Sequence, residues 1–245
     1  GDEQGNSELR EKLAEYYGRQ HVKLSPDEFF ISDGAKPDSG NIQSIFALDN
    51  LVAVQDPAYP VYVDTNVIAG RTGSHDPDRG LYEGLHYMPC REENGFIPDI
   101  PDRKVDLIYL CSPNNPTGAV ATKEQLGKFV EYARKNGAVI IYDASYSEYI
   151  SDNTLPKSIY EVDGAKECAI EINSLSKFAG FTGVRLGWTV VPSDAVTEDS
   201  EPDELRRMWN RRQSTFFNGA SNIVQEGALA GFTEKGLAES RGLVD

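Results

Sequence analysis

Histidine, cysteine and positive charge are scarce in this chain, and each scarcity closes off a class of function. Its only histidines, His21, His75 and His86, stand apart without the spacing of metal ligands. Its three cysteines, Cys90, Cys111 and Cys168, are odd in number and far apart, as expected of reduced, buried thiols and not of a disulfide framework or metal site. Lysine and arginine total 24 against 39 aspartates and glutamates, a formal net charge of -15. So acidic a chain is not attracted to nucleic acid or to anionic membranes, and its dispersed charges read as a solvated surface. No apolar run approaches the roughly 20 residues of a membrane span, and no secretory leader is visible; the reduced thiols are what point to a cytoplasmic setting.

Familiar nucleotide and hydrolase signatures are missing too. Gly180, Gly183 and Gly187 lack the G-x-G-x-x-G spacing, no Gly-Lys-Ser/Thr loop occurs, and there is no Gly-x-Ser-x-Gly elbow.

What the chain does have is alternation. Apolar, β-branched runs at 29–31, 51–54, 105–111, 138–142, 168–172 and 186–191 predict strands. Helical stretches are predicted at 9–17, at 122–136 and near 204–213, the last after an acidic loop at 194–203. Thr122 and Gln125 form a capping-box start and Gly137 a stop. Strands that are apolar throughout and separated by helices predict one α/β domain, a mostly parallel sheet sandwiched by helices.

Ligands of such sheets bind beyond the carboxyl ends of the strands. The chemistry-bearing segments all follow predicted strands: Asp33–Lys36, Asp56–Tyr59, Ser112–Gly118, Asp143–Tyr146 and Ser174–Lys177. A lysine after an apolar strand, flanked by Ser174, Ser176 and Arg185, suits an amine that holds pyridoxal 5'-phosphate. Neighbouring positive charge and partial desolvation would make Lys177 nucleophilic, and the hydroxyls and guanidinium would bind phosphate. The backbone N–H groups at Gly34-Ala35-Lys36 could add to that phosphate site; a plain strand-to-helix turn is the other reading. Asp143 closes a very apolar strand and suits a protonated pyridine nitrogen, or else caps a helix. Asn115 and Tyr146 could each donate to the cofactor's phenolic oxygen, and the Tyr59 ring could lie on the cofactor.

Taken together, Asn115-Pro-Thr-Gly118, Asp143-x-x-Tyr146 and Ser174-x-x-Lys177 followed by Arg185 resemble the class I/II, fold-type I pyridoxal-phosphate aminotransferases. Longer strings, among them Ile31-Ser-Asp-Gly-Ala-Lys36, Val54-Gln-Asp-Pro-Ala-Tyr-Pro60 and Phe217-Asn-Gly-Ala-Ser-Asn222, are similar to the LL-diaminopimelate branch of that family. The resemblance implies a homodimer acting on amino-acid and 2-oxo-acid substrates in lysine biosynthesis. Its setting would be the cytoplasm, or the plastid stroma in a plant or alga. Lys177, Asp143 and Tyr146 would be the catalytic residues, and Asn218 would reach the partner's cofactor. Lys36, Tyr59 and Asn115 would also border the substrate.

Residues 1–245 would then be the cofactor-binding large domain, with the family's N-terminal segment and C-terminal small domain outside this chain. Pro37 departs from the residue expected there, although proline suits a helix's first turn. Two alternatives remain at this level: an aspartate- or aromatic-type aminotransferase, and a non-catalytic pyridoxal-phosphate-binding domain.

Overall fold

The structure, a computed structural model, describes residues 2–243. Its elements in chain order are α1 (Ser7–Gly18), β1 (Phe29–Ser32), α2 (Ala35–Ile42), β2 (Val52–Asp56), α3 (Val61–Ala69), β3 (His75–Asp76), β4 (Leu81–Tyr82), β5 (Leu85–Pro89) and β6 (Leu107–Cys111). There follow α4 (Lys123–Asn136), β7 (Val139–Asp143), β8 (Ala169–Ser174), α5 (Leu175–Phe178), β9 (Gly187–Val190), α6 (Glu204–Phe216), α7 (Asn222–Gly231) and α8 (Glu234–Arg241).

Seven strands form one sheet in the order β1-β9-β8-β7-β6-β2-β5, and β3 pairs with β4 in a separate hairpin. From β8 to β5 every neighbouring pair is parallel, whereas β9 runs antiparallel to both β1 and β8. The carboxyl ends of β1, β2, β6, β7 and β8 therefore lie along one edge, together with the amino end of β9.

Both faces of the sheet are covered, and this is why its strands are apolar without interruption. On β7, Ile140 and Tyr142 pack in one core layer and Val139 and Ile141 in the other. The first layer includes Leu9 and Leu13 of α1 and Phe129 of α4. The second includes Ile42 of α2, Tyr62 of α3 and Trp209 of α6. All six expected strands are present, each displaced by no more than a residue or two at its ends. The start of α4 follows its sequence signature: Thr122 Oγ1 accepts from the Gln125 amide at 3.2 Å, and Gln125 Oε1 accepts from the Thr122 amide at 2.9 Å. Gly137 ends that helix with φ 64. Sequence pattern missed β5, an edge strand bonded only to β2, because its partly exposed Leu-His-Tyr-Met-Pro run carries no apolar periodicity.

One polar group is buried where only apolar packing was expected. Glu171, on β8, is fully buried. Its Oε1 accepts from the Tyr17 hydroxyl at 2.6 Å, and its Oε2 accepts from Ser158 Oγ at 2.7 Å and the Ile159 amide at 3.0 Å. Trp188 Nε1 donates to the Tyr17 oxygen at 3.1 Å, so the network ties α1 to β8 and β9. Burial pushes the Glu171 carboxyl up to about 7, against the pull of those donors.

The raised value gives the pH dependence its sign. Between the ordinary carboxyl range and about pH 7, the unfolded chain has lost this proton while the native protein still holds it. Stability contributed by Glu171 therefore falls as pH rises through that window, by at most about 1.4 kcal/mol per pH unit. Asp38, also raised to about 7 by burial, acts in the same direction. Urea melts at pH 5 and pH 8 are expected to show a smaller loss of stability in Glu171→Gln than in the wild type. Equal losses would contradict the assignment.

Candidate active site

A cavity of about 320 Å³ opens at the carboxyl edge of the sheet. Ala35 and Lys36 enter it from the start of α2, Tyr59 from the turn after β2, and Asn115 from the loop after β6. Asp143 comes from the end of β7 and Tyr146 from just beyond it. Ser174, Ser176 and Lys177 come from the β8–α5 junction, and Arg185 from just before β9. A larger hollow of about 640 Å³ lies near the amino ends of β7 and β8, but it contains none of these residues. Within that hollow Lys104 pairs with Glu198 and Arg134 with Glu167.

One end of the cavity is built to hold an anion. Gly187 opens β9 between two strand ends, paired with Ser32 on one side and Ser174 on the other. A Cβ on Gly187 would lie 2.7 Å from the backbone of Gly34, so glycine is what lets β9 approach the β1–α2 turn. Gly34 itself has φ 139, and a Cβ there would collide with the Arg185 guanidinium. The amides of Ala35 and Lys36 open α2 without intrahelical acceptors, Pro37 has no N–H, and the Asp38 amide bonds the Gly34 carbonyl at 3.3 Å. Pro37 thus occupies a position where no donor is missed. Arg185 Nη1 donates to the Thr182 carbonyl at 2.9 Å and to Ser176 Oγ at 3.3 Å. Ser174 Oγ caps α5 by accepting from the Ser176 amide at 3.4 Å. Guanidinium, two hydroxyls and two free amides at a helix N-terminus form an anion site.

The other end is acidic. Asp143 is buried at the end of β7, where its Oδ1 accepts from the Ser145 amide at 2.9 Å and its Oδ2 from the Tyr62 hydroxyl at 2.7 Å. Tyr146 is half-buried, and its phenol is raised by burial, then by the Cys111 thiol and the Asp143 charge. It keeps its proton and can donate. Tyr59 stands edge-on to Tyr62, with ring centroids 5.8 Å apart, and Lys36 Nζ lies 5.9 Å from the Tyr59 centroid.

One placement differs from expectation. Lys177 is exposed, its Nζ 5.5 Å from the centre of the Tyr146 ring, so the partial desolvation expected of it is not supplied by the described residues. The reason is its place in α5, a four-residue turn at the cavity's rim. Asn218 lies outside the cavity, exposed between α6 and α7. Sequence reasoning also missed four wall residues: Tyr62, Cys111, Ser145 and Thr182. Tyr62 stands three positions after Tyr59, the spacing that puts two side chains on one side of a helical turn.

The sequence model of the family "Aminotransferase class I and II" matches residues 1–240. The chain belongs to the class I and II aminotransferases. Among solved structures it is similar to LL-diaminopimelate aminotransferase from Chlamydomonas reinhardtii, with 51% identity and a TM-score of 0.93, covering 100% of this chain and 59% of that one. It is also similar to substrate-bound BacF from Bacillus subtilis, with 26% identity and a TM-score of 0.84, covering 100% and 58%. An aromatic aminotransferase from Pyrococcus horikoshii OT3 matches at 25% identity and a TM-score of 0.81, covering 99% and 62%. The chain thus spans about three-fifths of the length of these proteins.

Class I and II aminotransferases use pyridoxal 5'-phosphate, and the donor set here fits it. A phosphate-type anion site and a buried carboxylate line the same cavity, with an aromatic ring and an amine also on its wall. Ser145 Oγ on that wall is buried and has no hydrogen-bond partner.

Lys177→Ala is expected to abolish the visible absorption of the protein mixed with pyridoxal phosphate, and borohydride reduction should tag Lys177 in the wild type. Survival of the absorption, with the tag on Lys36, would overturn the assignment.

Proposed function

We propose that the protein is a pyridoxal-phosphate-dependent aminotransferase that moves an amino group between LL-2,6-diaminopimelate and 2-oxoglutarate. The products in one direction are tetrahydrodipicolinate and glutamate, and the route served is lysine biosynthesis. The observation that carries the reaction type is the convergence of Lys177, Asp143, Tyr146 and the anion site in one cavity. The choice of substrate is supported by the 51% identity to the Chlamydomonas aminotransferase named for LL-diaminopimelate.

Bound pyridoxal phosphate supplies an electron sink for negative charge at the substrate's α-carbon. The protein's part is to bind, orient and move protons. Ala35, Lys36, Ser174, Ser176 and Arg185 would hold the phosphate. Asp143 would pair with the pyridine nitrogen and favour its protonated form, Asn115 and Tyr146 would donate to the phenolic oxygen, and Tyr59 would cover the ring. Lys177 Nζ would anchor the cofactor and then serve as the base that takes the donor's α-proton and delivers it to the cofactor's side of the reacting bond. Exposure suits that second role, because the amine must move once substrate arrives. Lys36, Tyr59 and Asn115 also border the substrate.

The working form is a homodimer in which Asn218 completes the partner's site. Support for this comes from Phe216 and Ile223, which flank Asn218 and expose 75% and 85% of their surface. Three buried free cysteines accord with a cytoplasmic or plastid-stroma setting.

A donor panel run on the full-length protein tests the substrate choice. With 2-oxoglutarate as acceptor, kcat/KM for LL-diaminopimelate is expected to exceed that for aspartate, phenylalanine and tyrosine by about a hundredfold or more, the discrimination available from buried polar recognition. A preference for aspartate or an aromatic donor would refute the diaminopimelate reading while leaving the aminotransferase intact. No turnover with any donor, despite bound cofactor, would favour a binding domain.

A further inference from the structure

Asp143 is not the last residue in its chain of contacts. Its carboxylate carries one fixed donor on each oxygen, the Ser145 amide on Oδ1 and the Tyr62 hydroxyl on Oδ2. The first comes from its own loop. The second comes from α3, across the sheet's edge, and is fixed in place. Tyr62 is 2% exposed, its ring stacks on Tyr109 at 5.3 Å between centroids and 24° between planes, and Tyr59 stands edge-on to it at 5.8 Å. Asn66 Nδ2 donates to the Tyr62 carbonyl at 2.7 Å, one turn on in the same helix.

We propose that Tyr62 is a positioning residue of the active site, which acts through Asp143 by orienting its carboxylate. The proposal rests on the aminotransferase reading and deepens it. A carboxylate opposite a pyridine nitrogen can fail by rotating away. A hydrogen bond from a buried phenol opposes this, since it fixes the plane of the carboxylate.

Tyr62 can act only as a donor here. Burial raises its phenol well above 10, and the Asp143 charge raises it further. The other titratable groups facing this pair are the Cys111 thiol of β6, itself raised by burial, and the phenols of Tyr109, Tyr59 and Tyr146. Lys177 stands farther out, over the Tyr146 ring. The Tyr59–Tyr62 contact also joins the ring-covering wall to the carboxylate's support, so one helical turn sets both.

The test reads the bound cofactor's own colour in protein saturated with pyridoxal phosphate. Tyr62→Phe is expected to raise the pH midpoint of the visible absorption change by about half a unit or more. It should lower kcat by about tenfold while KM changes less than about twofold, the scale of one hydrogen bond to a charged group. Asp143→Ala should move the midpoint further in the same direction, and adding Tyr62→Phe to Asp143→Ala should change nothing more. Tyr62→His keeps a ring and an N–H donor and should recover part of the wild-type midpoint. If Tyr62→Phe and Tyr62→His leave the midpoint where it is while Asp143→Ala moves it, Tyr62 is packing and the proposal is wrong. Simple addition of the Phe and Ala effects in the double variant would overturn it equally. If Asp143→Ala does not move the midpoint, the role of Asp143 fails first.

Discussion

The close contact between Gly187 and Gly34 is the constraint on which the rest of the site depends. Gly187 sits in the sheet between Ser32 and Ser174, the last residues of the strands on either side. Its lack of a Cβ lets the start of β9 press against the backbone that opens α2. The antiparallel strand β9 thereby brings Arg185, immediately upstream, over the same turn that offers the Ala35 and Lys36 amides. One backbone contact joins two segments about 150 residues apart in sequence into a single anion site. A Cβ at Gly187 would meet the Gly34 backbone, and one at Gly34 would displace the Arg185 guanidinium.

From that end the site extends along the edge by strand order. Ser174 ends β8, Asp143 ends β7 beside it, and Cys111 ends β6 beside that. Strand order therefore sets Arg185 before β9, the turn bearing Ser174, Ser176 and Lys177 after β8, and Asp143 at the end of β7 at intervals of one strand, about 4.8 Å each. Polarity follows the same order, cationic at Arg185 and anionic at Asp143. The helices behind the edge hold it firm. Asp38 on α2 accepts from Ser32 Oγ at 2.7 Å and Thr189 Oγ1 at 2.8 Å, and Tyr62 on α3 braces Asp143.

How much of this can be read in the sequence depends on whether the signal is local. The two-sided core was legible because residues such as Ile140 and Ile141 are both apolar although they point to opposite faces. The cavity wall was legible where a residue lies in a short strand-end motif, as do Asp143, Tyr146, Ser174 and Lys177. Glu171 was not, because a single acid in Cys-Ala-Ile-Glu-Ile gives no hint that Tyr17 and Ser158 will converge on it. Tyr62 was not either, since its partner is 81 residues away. The exposure of Lys177 was misread for the same reason. Desolvation is a property of what surrounds a side chain in space, which sequence neighbours do not report.

The most direct test of this site's architecture is the affinity for pyridoxal phosphate of Gly34→Ala, measured by fluorescence titration beside the wild type with the fold checked by circular dichroism. A methyl group at position 34 must displace the Arg185 guanidinium. Kd is therefore expected to rise by about tenfold or more, the scale of a lost charge-assisted hydrogen bond, while the helix and strand content is unchanged. An unchanged Kd in the folded variant would show that the phosphate does not sit between the α2 turn and Arg185.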